Sequence, residues 1–325
     1  ITVMWIGGND VIVGSMTLGD LTALINYISQ ILMSIMMLSM LFVFSSRAIA
    51  SGRRIKEVLD EKIDITENES SDAVVKNGEI EFRNVSFRYY KNSEKKVLNN
   101  INLVIPAGTT VGIIGSTGSG TTTLVSMIPR LYDVDEGEVL VDGVNVKNYS
   151  LPVLRQGVSM VLQKNVLFSG TIAENLRWGD ENASDAEMKK WATAAQADNF
   201  IESFPDGYET VLDQGGTNVS GGQKQRLCIA RALLKKPKVI ILDDSTSAVD
   251  TATERNIRKT FSEELSGSTK IIIAQRISSV KDSDMIIVMD DGNITGVGTH
   301  DELLKNNVEY QEIYYSQVDR KEDEA

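Results

Sequence analysis

A glycine-rich run, Gly115, Ser116, Thr117, Gly118, Ser119, Gly120, Thr121, Thr122 and Thr123, follows the apolar segment TVGII and opens the helical pattern LVSMIPRL. Glycines let backbone N–H groups close around phosphate oxygens, and the start of a helix adds positive potential. A strand before the run and a helix after it is the context a phosphate-binding loop requires. In the pattern G-x-x-x-x-G-K followed by serine or threonine, Gly115 and Gly120 fit, and Thr122 fits the hydroxyl that holds Mg²⁺. The lysine position is Thr121, which brings no charge. Taken alone, the run reads equally as a phosphate cradle or as a decorative turn.

A second run, KVIILDD from Lys238 to Asp244, is a buried strand ending in two acids. A carboxylate at Asp243 binds Mg²⁺ directly or through water, and Asp244 can orient an attacking water. A single acid after a core strand would be an ordinary surface turn; two acids followed by STSAVD are not. A third run is NVSGGQKQRLCIARAL, from Asn218 to Leu233. Ser220, Gly221 and Gly222 make another nest of N–H groups at a helix start, with Gln223 in the first turn. The chain's single histidine, His300 in GTHDELL, stands apart from these runs. It is expected on the surface near the last helix, outside the chemistry.

Taken together, the runs resemble the ATP-binding cassette (ABC) family, whose signature usually reads LSGGQ; here Val219 replaces the leucine. The resemblance implies ATP and Mg²⁺ as cofactors and further site residues. Tyr89 is similar to the aromatic on which adenine stacks. Gln163 of MVLQKNVLFSGTIAENL is similar to the glutamine that touches Mg²⁺ and water and faces the membrane domain. DQGG, from Asp213 to Gly216, sits where exporters carry a coupling segment, and Asp250 of SAVD resembles the aspartate that crosses a dimer interface. The metal set is then Thr122, Gln163 and Asp243, and the catalytic set Asp244, Gln275 and Gln163.

Departures from the family fall on the hydrolytic residues: Thr121 for the loop lysine, Asp244 for the catalytic glutamate, and Gln275 in IIIAQRIS for the switch histidine. Thr121 cannot reach the β- and γ-phosphates. Asp244 is one methylene short, and misplacement by about 1 Å costs roughly a hundredfold in rate. Gln275 can hydrogen-bond a phosphate oxygen but cannot become cationic. The signature residues Ser220 to Gln223 are intact. In the family, two such domains sandwich ATP head to tail, each pairing its phosphate loop with the other's signature. The resemblance therefore implies the degenerate-site subunit of a bacterial heterodimeric exporter, completing a hydrolytic site on a second half-transporter. The alternative is a regulatory scaffold that binds no nucleotide. A homodimer would match a sound signature with an impaired loop. Drug, lipid and peptide exporters share these motifs, so they leave the cargo unspecified.

The elements that must position these residues are legible in the texture of the chain. It has 325 residues and a formal charge of −12, which argues against nucleic-acid binding. Its one cysteine, Cys228, excludes an intramolecular disulfide. From Leu21 to Ser46 no residue is charged, a length that spans a hydrocarbon core of roughly 30 Å. Arg47, Arg53, Arg54 and Lys56 follow, marking a cytoplasmic exit. A soluble cassette ATPase would carry no such span. The predicted fold is an α/β P-loop ATPase domain, a mixed sheet plus a helical subdomain, preceded by a transmembrane α-helix in the cell membrane.

The chain starts at Ile1 and reads as the C-terminal piece of a longer protein. Residues 1–61 are expected to end a membrane domain, with Gly7, Gly8, Gly14 and Gly19 breaking helical regularity in an outer turn. Residues 62–78 are polar and acidic and read as a linker. Residues 79–318 alternate β-branched runs with helical patterns, with a helical subdomain over about 150–226, and 319–325 form an acidic tail.

Overall fold

The computed structural model describes residues 1–67, 71–244 and 251–323. The chain divides into two compact units, Ile1–Asp64 and Ile65–Ala325.

The first unit is two helices, α1 (Thr2–Val13) and α2 (Leu18–Leu59). Glycine does not interrupt α1 at Gly7 or Gly8. A Cβ at Gly7 would lie 2.3 Å from Leu21 Cδ1, so the glycine is the small residue that lets α2 approach. Gly14 does end α1, at φ 80°, the left-handed conformation glycine adopts without steric cost. Gly19 falls in the first turn of α2, where the Thr17 hydroxyl accepts from the Asp20 N–H and the Asp20 carboxylate accepts in return.

Over its 42 residues α2 rises about 63 Å at ~1.5 Å per residue. Among the described residues it is the one helix long and apolar enough to cross a membrane. Its hydroxyls are satisfied internally: Thr22, Ser29, Ser34, Ser39 and Ser46 each donate to the carbonyl four residues back, at 2.8–3.0 Å. Such back-bonding is how a polar side chain is accommodated where no water is at hand.

The second unit opens with β1 (Ile80–Phe87), β2 (Leu98–Ile105), β3 (Thr110–Gly115), α3 (Thr121–Ser126), β4 (Glu136–Val141) and β5 (Val144–Asn145). Then come α4 (Leu151–Gly157), β6 (Val158–Val161), β7 (Gly170–Thr171), α5 (Ile172–Arg177), α6 (Asp185–Ala194), α7 (Asp198–Glu202), β8 (Val211–Leu212) and α8 (Gly221–Leu234). The chain closes with β9 (Val239–Asp243), α9 (Thr251–Glu264), β10 (Thr269–Ile273), β11 (Met285–Asp290), β12 (Asn293–Gly298), α10 (His300–Asn306) and α11 (Val308–Asp323).

Six strands form a sheet in the order β12-β11-β3-β10-β9-β6, every neighbour pair parallel except β11 with β12. A second, antiparallel sheet runs β2-β1-β4-β5. The parallel strands are covered on both faces, which is why they read as unbroken apolar runs. Val111, Ile113, Ile241, Ile271 and Ile287 face a core shared with the antiparallel sheet and α3. Ile114, Ile240, Leu242, Ile272 and Val288 face a second core built with α5, α6 and α8.

Local readings shift in several places. β1 does not alternate throughout: its register slips between Phe82 and Val85, and Val85, Ser86 and Phe87 are buried in succession. The β-branched run VSMVLQ forms β6, a core strand of the large sheet beside β9 as its composition predicts, and it divides the mostly helical stretch expected from about residue 150. α11 runs to Asp323, so the acidic tail begins as helix; its Lys, Glu and Arg residues are good helix formers.

The end of the linker is fixed to the second unit. The Asp142 carboxylate, on the turn after β4, accepts four backbone N–H groups: Lys76 and Asn77 at 2.6 and 3.0 Å on one oxygen, Gly78 and Glu79 at 2.8 and 3.1 Å on the other. The Gly78 carbonyl accepts from the Thr269 hydroxyl at 2.6 Å. Gly78 has φ 86°, and a Cβ there would meet the Lys238 carbonyl at 2.6 Å.

Candidate functional site

Parallel strands deliver the sequence-derived residues to one edge. β3, β6, β9 and β10 all run the same way, and Gly115, Gln163, Asp243 with Asp244, and Gln275 each stand at or just past a C-terminal strand end. Open α/β sheets bind ligands at that edge.

The loop from Gly115 to Gly120 turns tightly. The Ser119 N–H donates to the Ser116 carbonyl at 3.0 Å, and Gly118 and Gly120 hold φ of 89° and 94°. A Cβ at Gly115 would fall 2.4 Å from Ser119 Oγ and 2.5 Å from the Met289 carbonyl, so only glycine fits. Gly120 is the N-cap of α3, and Thr121 is its first residue. Ser116 and Thr117 are exposed; Ser116 Oγ donates to Asp290 Oδ1 at 3.0 Å.

Ser119 and Thr123 are buried, so their side chains face the interior and only their backbone can serve a phosphate. The Thr123 hydroxyl pairs with the Tyr89 hydroxyl at 2.9 Å. Tyr89 packs edge-on against Phe87 and Tyr132, leaving its ring 45% exposed beside the loop's helix.

Thr122 Oγ1 donates to Asp243 Oδ1 at 3.0 Å. Asp243 is 2% exposed, and burial pushes its carboxyl above the usual range against the opposing Thr122 hydrogen bond, with Asp244 adding to the rise. A hydroxyl beside a buried carboxylate is a hard-oxygen pair of the kind Mg²⁺ takes. Such an ion would offset the burial of the negative charge that raises Asp243.

Asp244 is gripped from two sides. Gln275 Nε2 donates to its Oδ2 at 2.9 Å and Gln163 Nε2 to the same oxygen at 3.3 Å. Burial lifts its carboxyl, and the two amides oppose that rise. Its backbone has φ 44°, the left-handed region, where Asp and Asn are several-fold enriched over other non-glycine residues. The structure thus brings Thr122, Asp243, Asp244, Gln163 and Gln275 together.

The signature lies on a different helix. Ser220 caps α8: its hydroxyl accepts from the Gln223 N–H at 3.3 Å, and the Gln223 side-chain Oε1 accepts from the Ser220 N–H at 2.9 Å. Gln223 is thereby spent on the cap, while Ser220 and Gly221 face outward and Gly222 is half-buried. Asp250 lies outside the described residues.

His300 lies beside the last helix, as expected, but is only partly exposed. It is half-buried at the start of α10, its Nδ1 2.7 Å from the buried Tyr310 hydroxyl and its ring against Tyr314. A tyrosine ten residues on is no local signal, which is why the sequence alone puts it outside. Also unforeseen is Gln317 of α11, whose Nε2 donates to the Gln275 carbonyl at 2.8 Å while its Oε1 accepts from the Ile277 N–H at 2.9 Å. The signal was present: a glutamine at the same helical position as Tyr310, two turns on, in an otherwise apolar stripe.

Comparison with known proteins places this geometry. Residues 98–247 match the ABC transporter family. The chain is 42% identical, over 99% of its length, to the uncharacterized ABC transporter ATP-binding protein YfiB of Bacillus subtilis, covering 56% of that protein. It is 37% identical, over 97% of its length, to the ATP-dependent lipid A-core flippase of Desulfotalea psychrophila, covering 55% of it. Among solved structures, a bacterial Atm1-family ABC exporter with ATP bound matches at a TM-score of 0.78 and 34% identity, over 93% of this chain and 53% of that one. The chain spans about half the length of the relatives it matches.

Proposed function

The chain belongs to the ABC transporter family, and on that premise we propose that it is one subunit of an ATP-driven export transporter whose own nucleotide site hydrolyses slowly and whose signature completes a faster site on a different partner chain. Family membership brings Mg²⁺ and ATP as cofactors, a membrane-integral segment and a cytoplasmic nucleotide-binding domain. The observation that carries the finer reading is the contrast between the two halves of the machinery. Asp244 is short and hydrogen-bonded to Gln163 and Gln275, with threonine where the loop cation belongs. The Ser220–Gln223 cap is whole, with Ser220 and Gly221 facing outward.

The residues act as follows. The loop N–H groups and the exposed face of Tyr89 receive the phosphates and the base. Thr122, Asp243 and the Gln163 side-chain Oε1 would hold Mg²⁺, which screens the phosphate charge when bound. Asp244 accepts a hydrogen bond from the attacking water once the Gln163 and Gln275 amides turn toward the nucleotide. Closure of two cassettes on ATP would switch the coupled membrane helices between inward- and outward-facing arrangements.

ATP hydrolysis by the whole chain in lipid nanodiscs, alone and with a candidate partner, tests this. Near-zero turnover alone and clear turnover in the pair, lost in Ser220→Arg, is the expected result. Equal turnover alone, or a silent Ser220→Arg, refutes it. Thr121 favours one second reading, a scaffold subunit that binds no nucleotide; failure of a photoreactive ATP analogue to label the region of Tyr89 would select it.

A further inference from the structure

α11 is seated firmly. Tyr310 is fully buried, its N–H donates to Asn307 Oδ1 at 2.7 Å, and Ile313 and Tyr314 pack on the core beneath. Gln317 falls on the same face, at spacings i, i+3, i+4 and i+7 from Tyr310. It makes neither a solvent contact alone nor a packing contact alone. It closes a two-point hydrogen bond on the backbone on either side of Arg276, reaching the Gln275 carbonyl and the Ile277 N–H, which is one residue past the exposed stretch. The Gln275 side chain on that segment in turn donates to Asp244. A chain of hydrogen bonds therefore runs from the C-terminal helix through Gln275 to the catalytic acid.

We propose that Gln317 is a positioning residue of the nucleotide site: it fixes the segment carrying Gln275 and so sets where the Gln275 amide meets Asp244 and, in turn, the γ-phosphate. The proposal rests on the reading of Asp244 and Gln275 as the hydrolytic pair of this chain. It adds that the C-terminal helix, outside every motif of the cassette, takes part in their alignment. Two bonds at 2.8 and 2.9 Å to backbone groups that flank Arg276 fix rotation as well as distance. A single bond would leave the segment free to swivel. A side chain held loosely by about 1 Å is enough to slow a reaction many-fold.

The test uses the whole chain in lipid nanodiscs. Gln317→Met preserves volume and removes both bonds. Hydrogen exchange at the Ile277 amide is expected to quicken at least tenfold, and single-turnover ATP hydrolysis to slow about tenfold, with the Kd of a fluorescent ATP analogue within twofold and the melting temperature held. The decisive comparison is the double variant. Because Gln317 acts through the Gln275 side chain, Gln275→Ala with Gln317→Met should hydrolyse no more slowly than Gln275→Ala alone. Additive losses, or unchanged exchange at Ile277, overturn the proposal as a mere packing role. Gln317→Met silent where Gln275→Ala is slow overturns it alone. Gln275→Ala silent as well takes down the reading of the site with it.

Discussion

Restoring the missing cation is the sharpest perturbation of the phosphate loop. Thr121 is the first residue of α3, half-buried, directly after Gly120 at φ 94°. Its replacement by lysine leaves the glycine turn untouched and changes helix propensity by only a few tenths of a kcal/mol. An ammonium about 4 Å from a phosphate oxygen gains ~4 kcal/mol gross at the effective dielectric near a protein surface. After desolvation and side-chain ordering, a charge-assisted hydrogen bond nets about 1.5–3 kcal/mol, which is roughly 10- to 150-fold in affinity. Thr121→Lys should therefore tighten ATP binding by that factor, read by displacement of a fluorescent analogue from the whole chain in nanodiscs. Hydrolysis should rise far less, because Asp244 remains gripped by Gln163 and Gln275. A Kd within twofold of the parent would refute the idea that this loop is a phosphate cradle short of one charge.

Lengthening the acid in that background, Thr121→Lys with Asp244→Glu, is expected to raise single-turnover hydrolysis by a further tenfold or more; no gain would mean the acid's reach is not limiting. Asp142→Ala orphans four N–H donors and should lower urea stability by about 2 kcal/mol, with Asp142→Asn losing less because one amide oxygen still accepts. The Lys236 ammonium, helped by the Ser184 cap, holds Glu187 down at about 2. A carboxyl depressed on folding stabilises above its unfolded value of about 4.5 and loses that contribution as pH falls toward 2. Lys236→Met should thus lie closest to the parent in acid unfolding near pH 2 and furthest above pH 5, followed by tryptophan fluorescence; a gap that widens on acidification would contradict the assignment.

Much of the site was legible because strand ends announce themselves. The apolar runs before Gly115 and before Asp243 locate the edge of the sheet, and a parallel sheet places all such edges together. Spacing could not say that Thr122 bonds Asp243, but it named both. What escaped reading is what depends on contact across long stretches of chain. Gln317 meets Gln275 from 42 residues away, and Asp142 meets Lys76 from 66. His300 looked superficial because its partner, Tyr310, turns inward only after α10 and α11 fold back on one another. In β1 the register slips where Asn84 takes φ 51°, a left-handed asparagine whose signal is easily lost inside an apolar run. Gly7 misled because a small residue in a helix reads as a break unless a neighbouring helix is in view.

The docking of Lys76 to Glu79 on Asp142 also decides where the nucleotide-binding part can be cut free. Strand β1 starts at Ile80, and a gene fragment trimmed to that boundary would discard the four amides that the carboxylate holds and the Gly78 carbonyl that Thr269 caps. A fragment begun at Ala73 keeps them, along with Ala73 and Val75 on the core. Proteases should find the same frontier. Cleavage N-terminal to Ala73 should leave a folded product, whereas cleavage between Gly78 and Ile80 requires the turn after β4 to let go first.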